Sequence, residues 1–183
     1  MPKKLAALIA VPVVLFSLSA PADNHEPDSA FSKNTIDLGC VVSDLEESVK
    51  FYTEVIGFQK SGAFRVDADF AAEAGLTDGK PLDITVLTLG EGPAATKLKL
   101  MQVDAPGAKA ANDYIHSTLG YSYITIYVNS VHEAMSRLRR ARIAPDSNGQ
   151  VSLPGDIDSS QALILVRDPD GNFIELIGPV NPQ

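Results

Sequence analysis

Ala162-Leu163-Ile164-Leu165-Val166-Arg167-Asp168-Pro169-Asp170-Gly171-Asn172-Phe173-Ile174-Glu175-Leu176-Ile177-Gly178-Pro179 decides how this chain is read. Two apolar runs of strand length flank Asp168-Pro169-Asp170-Gly171-Asn172, where Pro169 presets φ and Gly171 accepts positive φ, so the segment reads as a β-hairpin. The second strand carries an anomaly, because Glu175 stands among Phe173, Ile174, Leu176 and Ile177. A carboxylate there is costly unless it is solvated, paired or bound to a cation. An edge strand whose Glu175 faces water is one reading; a functional carboxylate is the other.

Upstream of the hairpin the same order of elements occurs twice. Thr35 to Val42 reads as a strand, and Asp44 to Ile56 as a helix capped by Ser43 or Asp44 and ended by Gly57, with Leu45, Val49, Tyr52 and Ile56 as its apolar stripe. Phe58 to Val66, Asp83 to Leu89 and Thr96 to Val103 follow as strands, with a short helical excursion over Phe70 to Leu76. Residues 105–119, rich in Pro, Gly, Ala and Asn, read as a linker. Tyr121 to Val128 is then a strand and Ser130 to Ile143 a helix with Val131, Met135 and Leu138 inward; Gln150 to Leu153, Ala162 to Arg167 and Asn172 to Ile177 complete a second β-α-β-β-β series. The expected fold class is α+β, two βαβββ modules in a single domain over 35–180, with module one at 35–104 and module two at 120–180.

Asp168 to Leu176 closely resembles the closing hairpin of the vicinal oxygen chelate (VOC) superfamily, which includes glyoxalase I, extradiol dioxygenases, methylmalonyl-CoA epimerase and bleomycin-resistance proteins. Asp37 to Tyr52 with Val55-Ile56-Gly57-Phe58 resembles the family's opening strand and helix, and Gly120 to Val128 the opening of its second module. The resemblance implies that the two modules pair into a cup around a small-molecule ligand. It also implies that Glu175 stands where metal-using members have a metal ligand.

The N-terminus is basic at Lys3 and Lys4, apolar from Leu5 to Leu18 and small at Ala20-Pro21-Ala22, the pattern of a signal peptide over residues 1–22. The apolar run of about 14 residues is short of the roughly 20 that span a bilayer. A periplasmic or secreted protein is therefore expected, with residues 23–34 as a flexible leader and no membrane attachment once the signal is cleaved. The 183-residue chain has 15 Lys and Arg against 23 Asp and Glu; loss of residues 1–22 removes two lysines and moves the formal charge from −8 to −10. Such a surface repels phosphate backbones, which excludes nucleic-acid partners. Cys40 is the single cysteine, so no intrachain disulfide exists, and its apolar strand suits an inert buried thiol.

Strand alternation sorts the site. Leu38, Cys40, Val42, Leu98, Leu100, Ile124, Ile126, Ile174 and Leu176 share the faces that belong under the helices, and the opposite faces carry Asp37, Lys99, Tyr123 and Glu175. The resemblance puts the family's metal ligands at those four positions, usually His or Gln, Glu or another ligand, His, and Glu. Only Glu175 is kept. An ammonium has no lone pair and repels a divalent cation, so Lys99 reads as standing in the cation's place, paired by Asp37 and Glu175 with Tyr123 as a hydrogen-bonding partner. No cofactor is then expected; a divalent metal, if held, would use Asp37, Glu175 and Tyr123. The expected function is binding of a small organic molecule in a cup lined by Asp37, Lys99, Met101, Tyr121, Tyr123, Tyr127, Phe173 and Glu175. The alternative is a metal-dependent lyase, isomerase or ring-cleaving dioxygenase, with Glu175 and Lys99 as catalytic residues. Both a monomer and a homodimer are compatible with two modules in one chain.

Overall fold

The computed structural model describes residues 33, 35–104, 107–109 and 111–180. The expected signal peptide and, apart from Lys33, the leader lie outside the described residues. Each module places its first strand parallel to its last and lets the middle strands meander antiparallel. In module one, β1 (Asp37–Val41), β2 (Gln59–Val66), β3 (Leu82–Leu89) and β4 (Thr96–Val103) form a sheet ordered β1-β4-β3-β2. In module two, β5 (Tyr123–Tyr127), β6 (Val151–Ser152), β7 (Gln161–Arg167) and β8 (Phe173–Pro179) repeat the order as β5-β8-β7-β6. This is the expected α+β fold of two βαβββ modules.

The helices carry the join between modules. Asp44 caps α1 (Leu45–Lys50) by accepting from the Glu47 N–H at 2.9 Å. The expected helix to Ile56 does not stay α-helical: from Phe51 to Ile56 it widens into a π-helical turn, ending at Gly57 with φ +112°. The wider turn points Phe51, Tyr52, Val55 and Ile56 all inward, where a 3.6-residue period marks only Tyr52 and Ile56. A short α2 (Ala68–Glu73) starts two residues earlier than the sequence suggests, because Asp67 caps it, and ends three residues earlier. The third helix, α3 (Val131–Ala141), is capped by Ser130 and buries Val131, Ala134, Met135 and Leu138. Arg137 donates from Nε to the Val55 carbonyl at 2.9 Å and ties α3 to the π turn of module one.

One apolar core runs beneath both sheets. Val42, Leu98 and Leu100 of module one and Ile126, Ile164, Val166, Ile174 and Leu176 of module two belong to it, together with the inward faces of the helices. The alternation read from the sequence is therefore the real one. At Gly178, β8 passes so close to module two's first strand that a Cβ would fall 2.2 Å from the Val128 carbonyl oxygen.

The β7–β8 turn locks the modules together. Asp168, 5% exposed, accepts at one oxygen from the Asp170 and Asn172 N–H groups and at the other from the Asn172 side chain and the Tyr52 hydroxyl, the last at 2.9 Å. Asp170 in turn accepts from the Ser43 N–H of module one at 3.0 Å. Burial and the adjacent Asp168 carboxylate push the Tyr52 phenol pKa far upward, so it remains a donor. Hydrogen bonds to charged groups contribute about 1.5–3 kcal/mol. Tyr52→Phe is expected to lower unfolding stability by an amount in that range, read by urea denaturation; a change below about 0.5 kcal/mol, the scale of neutral surface substitutions, would show that the buckle carries no load.

Candidate functional site

The parallel register of β1 on β4 sets Gly39 beside Lys99 and Val41 beside Met101, so these side chains share the open face of module one with Asp37 and Lys97. A Cβ at Gly39 would meet the Met101 methyl at 3.0 Å, the far end of a flexible side chain. Lys99 Nζ lies 3.0 Å from Asp37 Oδ2, with side-chain exposures of 37% and 22%. The Lys99 ammonium holds the Asp37 carboxyl below the ordinary aspartate value, and the charges of Lys33 and Lys97 act in the same direction.

On module two, β5 pairs with β8 in parallel register, Tyr123 with Phe173 and Thr125 with Glu175. The Thr125 hydroxyl donates to Glu175 Oε2 at 2.7 Å. The structure thus makes two polar pairs where the sequence suggested one cluster: Lys99 has Asp37, Glu175 has Thr125, and no hydrogen bond or ion pair joins the two pairs among the described residues. Alternation assigns a face but not a register, and it was the register that gave Glu175 a neighbour on its own sheet. Counting both strands from Tyr123 and Phe173 as a parallel pair would have found Thr125.

Between the free edge of β1 and the start of β5 and β8 lies a cavity of about 330 Å³. Tyr121, Tyr123 and Phe173 line it, with Gly39, Cys40 and Asn172 among its other walls. Three of the expected aromatics therefore meet in one place. Tyr127 does not join them; it is 77% exposed and borders a separate groove at the start of α3. Asp37, Lys99, Met101 and Glu175 lie on the flanking sheet faces and not in the cavity wall. Tyr121 precedes β5 and stands fully exposed at the mouth, while Phe173 is buried with the Arg167 guanidinium 3.8 Å above its ring. Arg167 also donates to the Asn112, Asp113 and Gly171 carbonyls, so the aromatic floor is held by the linker and the hairpin together.

Cys40 and Asn172 border the cavity without having been marked as site residues in the sequence, since neither has a distinctive pattern. The Asn172 amide donates to Cys40 Sγ at 3.7 Å. Burial, then Asp168 and Asp170, push the Cys40 thiol up to about 11. His116 stacks on Tyr114 in the linker.

A divalent cation fits this donor set poorly. Asp37 already faces an ammonium, Tyr123 is a weak ligand at neutral pH, and no group of three His, Cys, Asp or Glu converges among the described residues. Two clefts of about 620 and 640 Å³ lie elsewhere, the first beside α1, α3 and the start of the closing hairpin, the second around Val128, Ser160 and Pro179. Neither contains any of the eight residues expected to line the cup.

The family model for the Glyoxalase/Bleomycin resistance protein/Dioxygenase superfamily matches residues 37–176. Among solved structures, a glyoxalase family protein from Bacillus cereus is similar at 20% identity, with a TM-score of 0.65 over 84% of this chain and 99% of that one. A glyoxylase/bleomycin resistance protein/dioxygenase domain from Frankia sp. EAN1pec is similar at 19% identity, with a TM-score of 0.52 over 82% and 92%. These likenesses concern the fold. No curated protein matches in sequence.

Two measurements check the site's electrostatics. Because the folded-state pKa of Asp37 is lowered, its contribution to stability is present above the ordinary aspartate value and is lost as pH falls through the lowered one. Carboxyl NMR titration should find Asp37 below the usual aspartate range in the wild type and shifted upward in Lys99→Met; an unchanged midpoint would mean that the pair does not form in solution. Cys40, with its thiol at about 11, should react with iodoacetamide at pH 8 far more slowly than free cysteine, and rapid alkylation would contradict the packing around Asn172.

Proposed function

The chain belongs to the Glyoxalase/Bleomycin resistance protein/Dioxygenase superfamily, and we propose that within it this is a binding protein that takes a small planar organic molecule between its two modules without a divalent metal. The observation that carries this reading is the Lys99–Asp37 pair at 3.0 Å. The resemblance puts metal ligands at both positions. An ammonium there supplies the positive charge by itself, without the open coordination sites that polarise a substrate oxygen.

The aromatic cavity supports the ligand class. Tyr121 and Tyr123 supply amphipathic faces near the entrance, and Phe173 supplies an apolar floor. Glu175, held by Thr125, gives the face of module two one oriented acceptor. The chain is further proposed to be exported, on the basic, apolar and small-residue succession over residues 1–22; no described helix is long and apolar enough to cross a membrane.

The test is the metal content of protein purified without chelator or affinity metal, together with thermal shifts on addition of Fe, Zn, Ni and Mn. No stoichiometric metal and no shift above about 1 °C is the expected outcome, since a site binding only the native state would raise Tm by mass action. A bound equivalent, or a shift of several degrees with one ion, would overturn the metal-free reading and favour the lyase, isomerase or dioxygenase chemistries. Lys99→Glu, which restores an oxygen donor beside Asp37, should in turn gain a measurable divalent-ion shift that the wild type lacks.

A further inference from the structure

The open face of module one is positive in a chain that is strongly negative. The formal charge of the protein is −8, yet Lys33, Lys97 and Lys99 all act on the one carboxylate of Asp37. Lys97 and Lys99 stand two residues apart on β4 and therefore point from the same face, and Lys97 has no ion-pair partner among the described residues. Lys99 has one, Asp37, although an ammonium carries three donors and its side chain is 37% exposed. Donor capacity is left over on this face.

Its position relative to the cavity gives the surplus a use. Gly39, the register partner of Lys99, is part of the cavity wall. With no side chain at Gly39, only the Met101 methyl stands over the β1 backbone there. A ligand whose ring lies among Tyr121, Tyr123 and Phe173 and whose substituent extends across Gly39 therefore heads toward β4 and its lysines. The module-two side is different in sign. Glu175 is an acceptor on the flanking sheet face, and Asn172 of the cavity wall is hydrogen-bonded to the Asp168 carboxylate. Charge on the ligand is thus favoured at one end only.

We propose, resting on the reading of the cavity as a ligand site, that its ligand is an aromatic carboxylate or a similarly sized planar anion, with the ring in the aromatic slot and the anionic group received by Lys99 and supported by Lys97. Asp37 then has a second role. It holds the Lys99 side chain extended over the sheet, lowering the conformational entropy lost when the anion arrives. The pair is open on one side, so the Lys99 ammonium can donate a charge-assisted hydrogen bond to the anion without Asp37 being displaced.

Benzoate and benzamide share shape and differ in charge, and they serve as probes. Titration calorimetry at low salt, with amide NMR to locate binding, is expected to show benzoate bound at least about tenfold more tightly than benzamide, as one charge-assisted hydrogen bond would give. The shifts should fall at Gly39, Tyr123 and Phe173. Added salt should weaken benzoate and leave benzamide unchanged. Lys99→Met should erase the preference while keeping benzamide binding, and Lys99→Arg should retain it. Equal affinity for both probes, or a preference that survives Lys99→Met, overturns the assignment of an anion while leaving the cavity as a neutral-ligand site. The salt response of the wild type decides the matter if Lys99→Met does not fold. Absence of binding by either probe at millimolar concentration, with no shifts at the cavity, overturns both this inference and the reading on which it rests.

Discussion

A buried carboxylate holds this protein in one piece. Asp168 sits at the turn of the closing hairpin with both oxygens engaged, and one of its donors is a tyrosine from the other module. A charge in that position would be strongly unfavourable if any donor were missing, so the turn, the Tyr52 side chain and the π-helical segment that aims it are mutually dependent. The Asp-Pro-Asp-Gly-Asn sequence is then a device of assembly. Its first Asp faces inward to module one, its second receives the Ser43 amide and lies 3.6 Å from Lys109 of the linker, and its Asn reaches Cys40 at the cavity.

The same turn places the site. Arg167, one residue before Asp168, stacks on Phe173 and collects carbonyls of the linker, so the aromatic floor is set by the element that fastens the modules. The opposite wall comes from β1, whose free edge faces the start of β5. The residues that line the cavity are therefore divided between two sheets, and their separation depends on the helix-side join of Arg137 to Val55 and on the Tyr52–Asp168 contact.

Much of this was legible in the residues. Gly57 ends the first helix, the hairpin turns where Pro169 and Gly171 say it does, and the alternating apolar positions from Leu38 to Leu176 are the core. Such features are local, and local chemistry decides them. The parts that were not legible depend on relations between distant segments. The π turn at Phe51 buries Phe51, Tyr52, Val55 and Ile56 together, which a regular helical period does not announce. Thr125 finds Glu175 only through a parallel pairing fixed by both strands at once, and that pairing drew Glu175 away from the single cluster with Lys99. Tyr121 and Tyr123 looked equivalent by period, yet the strand begins at Tyr123, leaving Tyr121 free at the mouth.

Among the described residues no backbone ladder joins the two four-stranded sheets, and β1 and β5 are terminal strands. Substitutions along their facing edges therefore disturb no strand register, in contrast to a pocket cut into a continuous sheet. On the proposed binding reading, ligand preference is free to drift by side-chain replacement along those edges while each sheet keeps its own ladder. For a scaffold with one shape and many chemistries, that separation of adaptability from architecture is a concrete route to diversification.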